Sequence, residues 1–495
     1  MNPLDVGLAF AAAPYAATAP YDPEEEYPES PIRGRAHAAA NPAYAGLRRL
    51  FIALGMDVER CGTADWNPLG EVVRPGDTVV IKPNFVESRH PRGGDLFAAI
   101  THPSLLRAVA DYVYIALRGQ GRIVIADAPQ MDCDWEQLMD ATSLPRVQEL
   151  YRRELGFELE VVDLRDFCVA DPEEQAYSTN RRKLAGDPAG EVRFDLAERS
   201  RFFGVENHDR FYGADYDRSE TIRNHHGRVH RYAVSRTVLA ADAVISVPKL
   251  KVHKKVGTTL NVKGLVGINT NKNFLVHYRL GTPSQGGDQL PDVGVGDRAF
   301  VGFQRFLYDK LLARRSPVAD RVYHLMRVGY RHTFKRLVRP SAAVTNFDGG
   351  NWHGNDTAWR MALDLLRVFL YGGTDGELHD TPQRRVFCVV DGIVGGEGDG
   401  PLSPDPAPAG CLVGGVTPLA VDLVATRLMG FDPLRIRQFR AAVESPELGV
   451  PDPAKINLCR EGEARVAGGE LFAPTWASPV MPFRPHPGWV GHVEV

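Results

Sequence analysis

A chain of 495 residues is long enough for two or three ordinary domains, or for one large α/β body with insertions. Hydrophobic residues make up 44% and charged residues 24%, the balance of a globular protein with a proper core, and a net charge of -4 argues against nucleic acid or an anionic membrane as the main partner. Six cysteines, none close to another in sequence, exclude the C-x-x-C pairs of zinc ribbons, redox motifs and ferredoxin clusters, and they are too few for a disulfide framework.

The cysteines therefore read as reduced thiols, and a cytoplasmic setting is expected. Residues 1–45 are rich in Ala, Pro and acids such as Glu24, Glu25, Glu26 and Glu29, which predicts a loosely ordered arm. The arm lacks the basic start of a secretory signal, and no run of about 18 apolar residues follows anywhere to make a transmembrane helix. Leu47, Leu50, Phe51 and Leu54 share one face, so a helix is expected over Ala45–Leu54. Thr78-Val79-Val80-Ile81 is a buried-type strand ending at Lys82-Pro83-Asn84. Thr101-His102-Pro103 opens a helix whose apolar face is Leu105, Leu106, Val109, Val113 and Leu117. Arg122–Ala126 is the next strand, ending in Asp127, and the three elements make a β-α-β unit. Residues 130–235 read only coarsely, as charged helical stretches and polar loops. Further strands are expected at Ala243–Pro248, at Val386–Val390 before Asp391, and at Cys411–Val416, with a helix over Pro418–Met429.

The pattern predicts an α/β fold with a mostly parallel sheet and flanking helices. Its body covers residues 46–300 and 341–440, and residues 441–495 form a C-terminal extension. Residues 301–340 form a basic amphipathic helical insertion, in which Arg305, Lys310, Arg314, Arg315, Arg321, Arg327, Arg331, Lys335, Arg336 and Arg339 face only Asp309 and Asp320. It reads either as a solvated face packed on the body or as a peripheral contact for an anionic membrane surface or a polyanion.

Chemistry concentrates after the strand that ends at Pro248. Lys249, Lys251, His253, Lys254, Lys255, Thr258, Asn261 and Lys263 are interleaved with glycines, and the series continues through Asn271, Lys272, His277 and Arg279 to Gly286-Gly287-Asp288. No acid occurs from Lys249 through Gly287, and such a block repels itself unless it meets an anion or facing carboxylates. Ligands of open α/β sheets sit beyond the carboxyl ends of strands, where glycine lets backbone N–H groups approach and lysine neutralises charge. With Lys82 and Asn84, these residues are the ligand-binding candidates. The phosphate-loop pattern G-x-x-x-x-G-K-[ST] is absent. A second constellation is acidic: Asp391, Glu397 and Asp399 on a Gly-rich loop, able to bind a hard cation or to act as acid and base. A third is Asn351, His353 and Arg360, beside Asn355 or Asp356 as a helix cap. The fourth, His225, His226 and His230, has the residue type but not the spacing of a metal site.

Several separated segments carry a resemblance. They are Ile81-Lys82-Pro83-Asn84, Thr101-His102-Pro103, Asp127-Ala128-Pro129, Val247–His253, Asn261–Gly267, Asp391-Gly392 with Gly396–Pro401, and Ala420-Val421-Asp422. Together they resemble the DUF362 family over about residues 75–435. Some relatives carry ferredoxin-type iron–sulfur clusters, but the cysteine motifs are missing here, so that property does not carry over. The Asn271-Lys272-Asn273 and Gly286-Gly287-Asp288 segments look like members found near polysaccharide-biosynthesis genes. A more distant similarity is to the N-terminal domain of lactate-racemase-type proteins, where a His, a Gly-rich stretch and a Lys sit beside a phosphate-bearing nickel cofactor. His253, Gly257 and Lys263 have a comparable order, without predicting nickel.

The first reading is an enzyme acting on a phosphorylated or carboxylated small molecule, in polysaccharide or secondary biosynthesis. Lysines would bind its charge, and His253 and Lys263 would move protons with Asp391, Glu397 or Asp399. The alternative is a non-catalytic accessory protein of a biosynthetic assembly. A third reading is a metal-dependent redox or epimerase-type protein, with a divalent metal as its cofactor. The sequence leaves the reaction, the metal and the oligomeric state open.

Overall fold

The β-branched runs of the chain form the strands of one large sheet, because a strand covered on both faces needs apolar side chains on both. The computed structural model describes residues 1–12, 14–36, 41–171, 179–314, 316–329, 341–450, 452–480 and 482–495. Ten strands matter here: β1 (Asp5–Phe10), β2 (Thr78–Pro83), β3 (Arg122–Asp127), β4 (Leu159–Asp163), β5 (Ala243–Val247), β6 (Lys249–His253), β7 (Arg385–Glu397), β8 (Cys411–Gly415), β9 (Asn457–Cys459) and β10 (Val466–Ala467). Their order across the sheet is β10-β9-β1-β8-β7-β5-β2-β3-β4. The five strands from β7 to β4 are parallel. β8 joins β7 antiparallel, and β6 runs parallel along the far half of β7, with Lys249 opposite Asp391.

Alternating side chains feed two cores. Val79, Ile81, Ile123, Ile125, Ile245 and Phe387 point to one face, which α1 (Pro42–Ala53) and α2 (Pro103–Leu117) cover with Leu47, Phe51, Leu105 and Val109. Val80, Val124, Val244, Cys388 and Val390 point to the other, packed with Met361 and Leu365 of one helix and Val421 and Leu428 of another. Proline at the first turn of α2 follows His102, whose ring nitrogen accepts from Ser104 N at 3.1 Å and caps the helix.

From β2 the chain steps to β3 and β4 on one side, whereas β5 leads to β7 on the other. The reversal lies between β2 and β5, and it opens a crevice beyond their carboxyl ends.

Three expectations change. Asp5–Phe10, expected in a loose arm, is strand β1 inside the sheet, antiparallel to β8 with Gly7 opposite Gly414 and parallel to β9. Its burial depends on partners at the other end of the chain, so local composition conceals it. The C-terminal extension belongs to the same body, because β9 and β10 finish the sheet and Phe483 and Trp489 are buried in its core. The acidic Gly-rich loop after Val390 is mostly strand, since β7 runs on to Glu397.

The described part of the basic insertion is helical, with α3 (Val295–Lys310) and α4 (Pro317–Gly329), while Arg315, Arg331, Lys335, Arg336 and Arg339 lie outside the described residues. Much of its apolar stripe faces outward: Phe303 is 58%, Phe306 55% and Leu325 70% exposed. Among the described residues, no helix is long and apolar enough to cross a membrane.

Candidate active site

A cavity of about 310 Å³ lies in the crevice at the strand ends. Asn84 and Phe85 after β2, Asp127 of β3, Lys251 and His253 of β6, and the segment from Thr259 to His277 form its walls. Lys251, Lys254, Lys255, Lys263 and Lys272 line it, with His253 and His277, against the carboxylates of Asp127 and Asp132. The cationic block of the sequence therefore folds inward.

Hydrogen bonding separates these lysines into two kinds. Lys251 Nζ donates to the carbonyls of Ala99 at 2.5 Å and Pro401 at 3.0 Å. Lys272 Nζ donates to Ala128 O at 2.6 Å and Lys255 Nζ to Asn351 Oδ1 at 3.0 Å. These three tie chain segments together, and burial lowers the pKa of each, that of Lys272 to about 7. Lys263 differs: it is buried, lines the cavity, and has no hydrogen-bond or ion-pair partner among the described residues. Burial, and then the charge of Lys82, lowers its pKa to about 8. Asn84 Oδ1 and Thr259 Oγ1, also on the cavity wall, are buried without hydrogen-bond partners. Unpaired buried polar atoms cost free energy, which singles out this stretch of the cavity wall.

His253 has a defined tautomer. Its Nδ1 accepts from Lys255 N at 3.0 Å, so the neutral ring carries its proton on Nε2. Burial first, and then Lys263 and Lys251, hold its pKa well below the ordinary value. It is therefore a neutral donor at physiological pH.

The floor of the cavity depends on a close approach. Lys82 Nζ donates to Asp127 Oδ1 at 3.0 Å, and Asp127 Oδ2 accepts from Phe85 N at 2.7 Å. A Cβ on Gly267 would lie 1.8 Å from Asp127 Oδ1, so only glycine fits there. Leu260, beside Thr259, has φ +47°, a left-handed conformation that costs a non-glycine residue roughly 1–2 kcal/mol. Asp422 holds this strained turn: its carboxylate accepts from Asn261 N at 2.9 Å, Val262 N at 2.8 Å and Asn261 Nδ2 at 2.7 Å. Asp422→Ala should cost about 2–3 kcal/mol in chemical denaturation by leaving buried donors unpaired. A loss under 0.5 kcal/mol would show that the turn holds itself.

The acidic constellation lies next to the cationic block but outside the cavity. Asp391 is fully buried, and its oxygens accept from Tyr15 OH at 2.5 Å, His102 N at 2.9 Å and Lys249 Nζ at 3.1 Å. Asp391 and Lys249 are a buried ion pair, and neither lines the cavity. Glu397 is bound by Arg484, and half-exposed Asp399 lies 3.5 Å from Arg92 and from His486. Thr258 is buried against Thr426, Asn261 is spent on Asp422, and Asn271 caps the turn before Phe274.

Arg279, Gly286, Gly287 and Asp288 border a separate depression, together with His353 and Arg360. Asp288 there accepts from Arg279 N, Asp356 N and Thr357 Oγ1, bracing the turn that enters α5 (Ala358–Tyr371). Asn355 caps that helix by accepting from Ala358 N at 2.9 Å. His225 and His230 are buried among Phe202 and each other, and His225 Nε2 donates to Phe274 O at 2.8 Å. Among the described residues, no group of three or more His, Cys, Asp or Glu side chains is placed to hold a metal ion.

Two acids were missed by sequence reasoning. Asp127 was visible as a strand end but not as a cavity wall. Glu87, on the loop after β2, is buried, and burial followed by the charge of Asp132 raises its carboxyl to about 8 against the pull of Lys251 and Lys254. Nothing local distinguishes Glu87 from a surface acid.

No curated protein and no solved structure matches the chain. The model of one family, Domain of unknown function (DUF362), matches residues 79–171 and 193–427, which takes in the central parallel strands and every lysine of the cavity. The match covers more than half of the sequence, and the chain belongs to the DUF362 family.

Proposed function

We propose that the protein is an enzyme that binds a small phosphorylated or carboxylated molecule in the lysine–histidine cavity. The observation carrying this reading is Lys263, a buried cavity lysine with no partner among the described residues and a pKa of about 8. An anion would supply the missing partner, and an amine poised near neutrality exchanges protons readily. His253 donates through Nε2 to the bound oxygen. Lys263 then serves as the charge partner of the substrate, with His253 as a neutral hydrogen-bond donor beside it. The six free cysteines support a reducing, cytoplasmic setting, and the family resemblance supports a biosynthetic context.

Sulfate tests the reading, because its charge is constant between pH 7 and pH 9. The ligand favours the ammonium form of Lys263, whose free pKa is lowered to about 8. Binding therefore needs no proton below that value and must take one up above it. Sulfate should bind about tenfold more weakly at pH 9 than at pH 7, with proton uptake seen by calorimetry in buffers of different ionisation enthalpy. Absence of binding at either pH would sink the proposal.

A further inference from the structure

A second cavity of about 350 Å³ adjoins the first, sharing Met131, Ala214 and Tyr278 as walls. Its lining is aromatic and polar: Tyr212, Tyr216, Tyr278 and Tyr308, with Gln289, Gln304, Asp309 and Asp348. Gln304, Tyr308 and Asp309 come from α3, so the basic insertion builds part of this wall. Lys255, of the inner cavity, lies over the Tyr278 ring at 5.1 Å and marks the boundary between the two compartments.

From this juxtaposition we infer that the substrate is a phosphorylated sugar, with its phosphate among the lysines and its ring on the tyrosines. The inference rests on the anion reading of the inner cavity and names the rest of the ligand. The ring arrangement favours a sugar over a flat base. Tyr212 and Tyr278 are stacked on each other, with centroids 4.8 Å apart and planes at 13°, which leaves no slot between them. Tyr216 and Tyr308 are tilted by 55° at 4.8 Å, so they offer faces and edges rather than parallel walls. A puckered ring can rest its C–H face on one tyrosine, while its hydroxyls need both acceptors and donors nearby. The carboxylates of Asp309 and Asp348 and the amides of Gln289 and Gln304 provide both kinds. Gln289 already donates to Asp348 at 2.7 Å, which fixes both groups in place.

Calorimetry with inorganic phosphate and with the 1-phosphates of glucose, galactose and mannose tests the inference on the full chain. At least one hexose 1-phosphate should bind tenfold or more tighter than inorganic phosphate. Tyr308→Ala should remove that gain while leaving phosphate affinity unchanged, and Tyr308→Phe, which keeps the ring, should retain most of it. Equal affinity for phosphate and all three sugar phosphates overturns the inference but leaves the anion site standing. A gain that survives Tyr308→Ala also overturns it. Failure of every ligand, phosphate included, overturns the anion reading and the sugar subsite together.

Discussion

Lys263→Met is expected to weaken sulfate binding by about 30-fold or more at pH 7, because removing one partner of a buried, hydrogen-bonded charge pair costs about 2–5 kcal/mol. The same substitution should leave thermal stability unchanged or raise it. Lys263 has no partner among the described residues, and a buried amine without one is a burden on the fold. Methionine has similar length and no charge to desolvate. The two readouts together separate function from structure. A melting temperature that falls by several degrees would mean that Lys263 supports the fold, and unchanged sulfate affinity would mean that the anion sits elsewhere. The pH dependence adds a third check, since the loss of affinity between pH 7 and pH 9 should shrink in Lys263→Met to the part carried by Lys272, whose pKa burial lowers to about 7. Lys251 is the contrast: its Nζ donates to two carbonyls, so Lys251→Met should lose stability as well as affinity.

Asp391→Asn should destabilise the protein by about 3–5 kcal/mol without passing first through the active site, because it leaves Lys249 as an uncompensated buried cation. The carboxylate accepts from Tyr15, Lys249 and the backbone N–H of His102. It joins the N-terminal segment, β6 and the start of α2 to the middle of β7. An amide cannot carry the charge and offers a donor where two donors already point. Urea denaturation measures the loss. Replacing both partners, as Lys249→Met with Asp391→Leu, should recover most of it, because two apolar side chains remove the desolvation cost along with the attraction. If Asp391→Asn instead kept full stability while sulfate binding collapsed, Asp391 would be a ligand-facing group and its structural assignment would fail.

The two lysines show why the cationic block could not be sorted by inspection. Lys249 and Lys263 lie in one acid-free stretch and carry the same charge. One is paired with Asp391, while the other faces the cavity. That difference depends on which strand lies alongside, and β6 pairs with β7, whose residues come more than a hundred positions later. The same holds for Asp391 itself. Its Gly-rich surroundings read as a loop, but those glycines allow close packing within a strand: a Cβ on Gly396 would lie 2.3 Å from the Ala98 carbonyl. The arm was misread for a related reason. Val6 and Leu8 are buried only because β8 and β9 arrive on either side.

What local sequence does determine here is the parallel α/β core. Strand and helix periodicity are short-range properties, and the β-α-β unit from Thr78 to Asp127, the strand Ala243–Val247 and the helix starting at Pro418 appear where the apolar spacing puts them. The excess of lysine after Pro248 was likewise legible, as was its place beyond a strand end. Tertiary structure alone decided which charges pair, which face the cavity, and in which direction each amine is shifted from its ordinary pKa. Those outcomes depend on burial and on distances of a few ångströms between segments hundreds of residues apart, and electrostatic energies change steeply with both.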